Sequence, residues 1–520
     1  MHVNPILLQV FKNRFAAIAE EMGVTLGRTA FSPNIKERRD YSCALFDRHG
    51  DMIAQAAHIP VHLGSMPLSV KSAIDRIAMR PGDMVMLNNP FDGGTHLPDI
   101  TLVAPVFIGD EPVFYVANRA HHADVGGMTS GSMPLSTSLF QEGLIISPVR
   151  LVEEGAIDRK LLEVLLCNVR TPTEREGDFA AQIMANRIGE RRLRELVDKY
   201  DMATVERYAA SLNDYAERFM RRTIAGIPDG RYHHRDCLDS DGISADPVWI
   251  DCVIDIEGEL ARIDFSASDP QVTGSVNAVY AITLSAVLYV FRCLVEADVP
   301  ANAGCLRPLD VVTKPGTVVD ACFPAAVAGG NVETSQRIVD VVLGALAEAL
   351  PDRIPAASQG TMNNVTIGGI DPRRGSPFAY YETLAGGHGG GPAGQGESAM
   401  HSHMTNTLNT PVEALEYAYP FRVTEYAIRR GSGGCGRFSG GDGLVREIEL
   451  LADAEVTILS ERRNQPPFGL QGGEPGSPGR NLLIDGDSSE QLPGKFSRRI
   501  KAGCRLRVET PGGGGWGSAN

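Results

Sequence analysis

The sequence predicts a mixed α+β chain of several domains, on three observations. At 520 residues it is too long for one hydrophobic core. Its hydrophobic spacing switches repeatedly between the helical period of 3.6 and the strand period of two. Its 56 glycines gather between strand-like segments, without the serine and charge of a flexible linker.

In chain order, Ile6, Leu7, Val10, Phe11, Phe15, Ile18 and Met22 form one apolar stripe, which predicts an amphipathic helix over 4–29. Short strands at 42–47 and 52–56 flank the turn sequence DRHGD, and a helix near 66–79 precedes a strand at 84–87. Segments 100–107 and 113–118 pair as a hairpin through IGDE, completing an N-terminal α/β metal-site region, 1–157. Residues 158–227 read as helical, interrupted at NVRTPTEREGD, where Thr171–Pro172 and the Thr173-x-x-Glu176 capping box start a new helix. A central α/β segment, 228–410, opens with an antiparallel meander over 228–270, holds helices at 275–295 and 333–350, and ends in a Gly-rich loop at 386–396. Residues 411–520 read as a β-rich, glycine-punctuated domain with one long loop, SERRNQPPFGLQGGEPG.

The net charge is −15 and no Lys/Arg cluster offers a phosphate footprint, which excludes nucleic acid as a partner. The N-terminus resembles neither a signal nor a transit peptide. The longest apolar stretch, 276–290, is too short to span a bilayer. Nine cysteines without a C-x-x-C predict buried, reduced thiols. Together these point to a cytoplasmic protein with no membrane partner.

The chemistry concentrates in LNNPFDGGTHLPDITLVAPVF (87–107) and FYVANRAHHADVGGMTSGSMP (114–134). His96, Asp99, His121, His122 and Asp124 are the ligand types that hold a divalent metal without thiolates. His96 and Asp99 face one way if the loop turns at Pro98. Adjacent strand residues point to opposite faces, so one of His121 and His122 supplies a third ligand. Asp124 is a ligand or an acceptor that fixes an imidazole. Asp40 reads as a surface carboxylate paired with Arg38 or Arg39, and His58 and His62, split by Pro60, as a structural turn. Glu142 is a candidate acid/base, with a plain strand-edge carboxylate as the alternative. Gly387, His388 and Gly389 offer unhindered amides that can cradle an anion, although neither a Walker A pattern nor a G-x-G-x-x-G followed by a helix is present. His401 and His403 give no metal spacing, and the absence of a G-x-S-x-G elbow counts against a serine hydrolase.

The segments ERRDYS, HLGSM, NNPFDGGTHLPD, RAHHADVGG, NVRTP, AQIMANRIGE, NVETSQR and ETPGGGGWG resemble the hydantoinase B/oxoprolinase family, over residues 4 to 517. The resemblance implies one subunit of an ATP-dependent hydrolase of cyclic amides: hydantoins, 5-oxoproline or lactams. It implies a partner hydantoinase A-type ATPase, in a heterotetramer of two A and two B subunits, that phosphorylates the substrate's carbonyl oxygen. It further implies one divalent metal on Asp40, His96, Asp99 and His121, zinc first, with manganese or iron accepted by the same donors. Glu142, His122 and Asp124 then move protons, and the glycine loop holds the phosphoryl group or seals the cavity. A ketone-carboxylase subunit and a non-catalytic scaffold for the ATPase are the two alternatives.

Overall fold

In the computed structural model, which describes residues 4–56, 59–296 and 298–519, four β-sheets and nine α-helices are laid out in chain order. His58, named above, lies outside the described residues.

The first sheet contains β1 (Tyr41–Asp47), β2 (Met52–Ala56), β3 (Met84–Leu87), β4 (Asp99–Ile108), β5 (Glu111–His121), β6 (Val149–Glu153) and β7 (Ala156–Ile157). Their order is β2-β1-β5-β4-β3-β6-β7, antiparallel throughout. Its helices are α1 (Pro5–Thr29), α2 (Pro33–Lys36) and α3 (Met66–Arg76), followed by α4 (Arg159–Cys167), α5 (Pro172–Tyr200) and α6 (Met202–Ile224). The helix expected over 4–29 forms because Asn4 caps it, accepting from the Ile6 and Leu7 amides, with Pro5 pre-set for the first turn. The next long helix starts differently from the expected capping box: Pro172 opens α5 and the Thr171 side chain makes no cap bond.

α1 packs on α5 so closely that a Cβ on Gly189 would sit 2.4 Å from the Met22 sulfur. Phe11 is fully buried between the helices and stacks on Tyr208 at 4.7 Å. Phe11→Ala should therefore cost about 3–5 kcal/mol, read as a lower melting temperature.

The second sheet, β8 (Gly230–Leu238), β9 (Val248–Glu257), β10 (Leu260–Asp264) and β11 (Leu309–Val312), is the expected meander with a parallel fourth strand on β10. It is covered by α8 (Ser335–Ala349), whose other neighbour is α7 (Tyr280–Cys293). A π-turn at Gly330–Thr334 leads into α8, with Gly330 so near Asn277 that a Cβ would meet its carbonyl at 1.8 Å.

The remaining strands are β12 (Asn364–Asp371), β13 (Ser376–Glu382), β14 (Phe421–Arg429), β15 (Gly443–Leu450), β16 (Ala454–Leu459), β17 (Arg480–Asp485), β18 (Ser488–Leu492), β19 (Lys495–Ile500) and β20 (Arg505–Glu509), with α9 (Val412–Ala418) among them. They form two antiparallel sheets, β13-β12-β16-β19 and β14-β15-β20-β17-β18. The first of these joins strands from both sides of residue 410, so an expected boundary there cuts through a sheet. Similarly, residues on both sides of 157 and of 227 share one hydrophobic cluster running from Phe11 to Leu459. A second cluster, including Ile367, Phe378, Ile448, Val456 and Leu506, fills the space between the last two sheets.

All nine cysteines are unpaired; five are buried, while Cys167, Cys293, Cys322 and Cys435 are exposed. Among the described residues, no helix is long and apolar enough to cross a membrane.

Candidate metal centre

The first sheet brings three strand ends together at one edge. Asp99 begins β4 and lies opposite His121, the last residue of β5. On the other side of β5, the His121 amide donates to the carbonyl of Asp40, just before β1. His96 is delivered by the loop before β4. Asn88 fixes that loop, donating to the Leu97 and Leu144 carbonyls while accepting from the Ile146 amide. Gly93, at φ +91°, turns the chain where a Cβ would collide with the Leu68 backbone at 2.5 Å.

His96, Asp99 and His121 converge: one donor atom from each lies within 4.8 Å of the others, and all three side chains are buried. Asp99 Oδ1 is 3.2 Å from His96 Nε2 and 3.2 Å from His121 Nδ1. Burial raises the Asp99 pKa, but the attraction of His96 and His62 and the hydrogen bond from His121 outweigh it, holding the carboxyl well below its usual range. Burial pushes His121 the other way, toward the neutral, ligating form, against the pull of Asp40 and Asp99. Asn331 Nδ2 is 3.0 Å from His96 Nε2, while His96 Nδ1 and His121 Nε2 are buried without partners. His96 Nε2 thus has both the Asn331 amide nitrogen and an Asp99 carboxylate oxygen within 3.2 Å. Two imidazoles and a carboxylate fit a zinc, manganese or iron ion.

Asp40 sits beside this group, 7% exposed, with Oδ2 3.7 Å from the buried Arg38 guanidinium. It lies outside the set whose donor atoms converge. Arg39, next to it, is held at φ +56°.

His122 points to the opposite face of the sheet. Its Nε2 is 3.0 Å from Gln182 Oε1, its ring packs against Phe179 at 4.8 Å, and burial lowers its pKa to about 4. Strand alternation thus removes it from the centre. Asp124 is likewise committed, ion-paired to Arg170 at 2.8 Å and bonded to the Arg170 amide. The structure brings neither to His96.

Glu142 is fully buried and half-satisfied. Its Oε1 accepts from the Ser136 hydroxyl at 2.6 Å and from the Val327 and Ala328 amides at 2.8 and 3.0 Å. Its Oε2 is buried with no partner. Burial, opposed by those donors and by His96, raises the pKa to about 7.

The amides of the expected anion cradle are already used. Gly387 donates to the Pro511 carbonyl, His388 to Glu397 and Gly389 to the Ser358 hydroxyl. These residues belong to a packed stack of glycine backbones from 386–396, 432–443, 469–476 and 511–515. A Cβ on Gly387 would fall 1.9 Å from the Gly441 carbonyl, and one on Gly513 1.9 Å from that of His388.

Four neighbours of the centre escaped the reading of the sequence as site residues. His62 lies 3.4 Å from Asp99 Oδ2, Asn331 contacts His96, Tyr381 stacks on His121 at 4.6 Å, and Arg38 lies over Tyr381 at 4.8 Å. Ser42, His62 and Asp99 form a serine–histidine–aspartate series, but Ser42 is fully enclosed within β1 and cannot meet a substrate. A surface cleft of about 880 Å³, lined by Ser130, Arg170, Ile370 and Arg498, includes none of the cluster.

A multi-sheet α+β protein with a buried His/Asp cluster at adjacent strand ends is the class these features define. The chain belongs to the hydantoinase B/oxoprolinase family, whose model matches residues 4–519. The chain is 41% identical over 522 residues to the 5-oxoprolinase of Dictyostelium discoideum, covering 99% of itself but 40% of that protein. It therefore spans about two fifths of that relative's length. The crystal structure of ATP-dependent caprolactamase from Pseudomonas jessenii matches with a TM-score of 0.92 at 30% identity, covering all of this chain and 92% of that one. A nucleotide-free acetone carboxylase structure matches at TM-score 0.89 and 18% identity, covering 99% of this chain and 76% of that one, a likeness of fold alone.

Proposed function

We propose that this chain is the metal-dependent hydrolytic subunit of an ATP-dependent cyclic amidase. It opens a hydantoin, 5-oxoproline or lactam ring after a partner ATPase has phosphorylated the carbonyl oxygen. The observation that carries this reading is the buried convergence of His96, Asp99 and His121. The names of the relatives support it, since 5-oxoproline and caprolactam are both cyclic amides. The partner is supported by length: the 5-oxoprolinase chain has well over half of itself beyond the part this chain matches.

An ion held by His96, Asp99 and His121, with Asp40 alongside, supplies Lewis-acid chemistry, polarising oxygen and lowering the pKa of water. The other steps belong to the chain's own groups. As water adds to the activated carbon, its proton passes to Glu142 Oε2, the oxygen left without a partner. Returned to the ring nitrogen, that proton lets the C–N bond break, and a second water releases phosphate. Asn331 and Tyr381 hold the His96 and His121 rings, and the buried setting keeps bulk water out.

Glu142→Gln should lower kcat by about 10²–10⁴ with KM nearly unchanged. Because the carboxyl must be deprotonated to accept a proton, wild-type activity should rise as pH passes about 7, and the variant should lose that limb. The same raised pKa makes the protonated form the one the fold favours. Its stability contribution is present at low pH and is lost as pH rises through about 7.

The functional test mixes the chain with an A-type ATPase, ATP and a panel of hydantoins, 5-oxoproline and lactams, with labelled bicarbonate present. Ring-opened product with phosphate release is expected. Incorporation of the label, or no turnover on any cyclic amide, would refute the reading.

A further inference from the structure

We infer that His62 is a positioning residue for the metal centre: with Thr95, it occupies Oδ2 of Asp99 and so presents Oδ1 alone to the ion. This rests on His96, Asp99 and His121 being the ligands.

The two oxygens of Asp99 face different surroundings. Oδ1 looks toward His96 Nε2 and His121 Nδ1, both at 3.2 Å. Oδ2 receives the Thr95 hydroxyl at 2.8 Å and has His62 Nε2 3.4 Å away. His62 is 1% exposed, and its Nε2 is buried with no hydrogen-bond partner, so Asp99 is the group it addresses. His62 is also outside the group whose donor atoms converge, which places it behind the carboxylate as a support and not beside it as a ligand.

The other ring nitrogen has a partner able to donate to it. His62 Nδ1 is 3.0 Å from the Ser42 hydroxyl, whose oxygen already takes the Ile59 amide at 3.4 Å. With the Ser42 proton directed to Nδ1, the imidazole carries its own proton on Nε2, toward Asp99. The turn bearing His62 has little freedom. Pro60 starts it, Val61 and Leu63 are buried, and the Gly64 amide donates to Ser285 on α7 at 3.1 Å. At Gly64 a Cβ would meet the Ser285 backbone at 2.9 Å.

A carboxylate with both oxygens free can rotate or chelate through both. Donors on one oxygen fix its plane and restrict it to a single contact, the way outer partners orient metal ligands elsewhere.

The test measures the zinc dissociation constant of the full chain by chelator competition, for wild type, His62→Ala, His62→Gln and Thr95→Val, with thermal melting as a check on folding. His62→Ala and Thr95→Val should each weaken zinc binding by about 10–100-fold. His62→Gln, which keeps a donor, should recover part of the loss. The visible absorption of cobalt-substituted His62→Ala should differ from wild type, reporting altered coordination. If His62→Ala does not fold, the isosteric Thr95→Val decides. Wild-type zinc affinity in folded His62→Ala and Thr95→Val overturns the role of His62 while leaving the metal centre standing. A wild-type chain that holds no zinc overturns both.

Discussion

Asp99→Asn should lower ATP-coupled ring opening by about 10³-fold or more, the equivalent of the several kcal/mol a Lewis acid contributes. The substitution keeps the side chain's size but removes the one anion that faces His62, His96 and His121. The donor set then loses its charge, and the bound ion should be lost with it. The fold should survive, because Asp99 and its strand partner His121 are held by backbone bonds the side chain does not make: the Asp99 amide donates to the His96 carbonyl, the His121 amide to Asp40 and the His122 amide to Pro98. Metal analysis of the purified variant, with its melting curve and turnover, checks all three. Wild-type turnover in a metal-free variant would refute the role given to Asp99.

The second large effect is structural. Gly513→Ala should destabilise the C-terminal region by about 3 kcal/mol or more, because the added Cβ falls 1.9 Å from the His388 carbonyl and 2.2 Å from its carbon. The atoms it meets are all backbone, of His388 and Gly389, so no side chain can swing away. The Gly513 amide also donates to Gly441, and its carbonyl accepts from Gly434, bonds that a shift would break. Gly391→Ala serves as the control within the same stack. Its Cβ would approach Pro355 Cβ at 3.3 Å and Pro355 Cα at 3.6 Å, so it should be nearly silent. Melting temperature and the rate of limited proteolysis give the readout. Equal behaviour of the two variants would contradict the packing argument.

The convergence of His96, Asp99 and His121, the candidate ligands, is legible in the sequence because its geometry is local. Once 100–107 and 113–118 pair as a hairpin, alternation puts one of His121 and His122 at the centre, and the pairing of β4 with β5 sets Asp99 opposite His121. What the sequence hides is long-range. His62 meets Asp99 only because a short turn at Pro60 folds beneath the first sheet. Asn331 and Tyr381 come from the α8 entry and from β13, and nothing in their local spacing points to His96 or His121.

The glycine clusters misled for the same reason. GGHGGGPAGQG offers free amides when read alone, yet its partners include Pro511, Gly441 and Gly514, far away in sequence. Domain boundaries suffer likewise: β12 and β13 belong with β16 and β19, a pairing that no composition shift at 410 reveals. By contrast, α1, the 228–270 meander and α8 were visible because each is specified by its own periodicity and end signals.

A metal reconstitution tests the proposed chemistry most directly. The complex with its ATPase partner is stripped by chelation, and ring opening of its best cyclic amide is followed as zinc is titrated back. Negligible opening is expected without metal and full recovery at one ion per chain, with no recovery in Asp99→Asn. Undiminished ring opening in the stripped complex would contradict that chemistry.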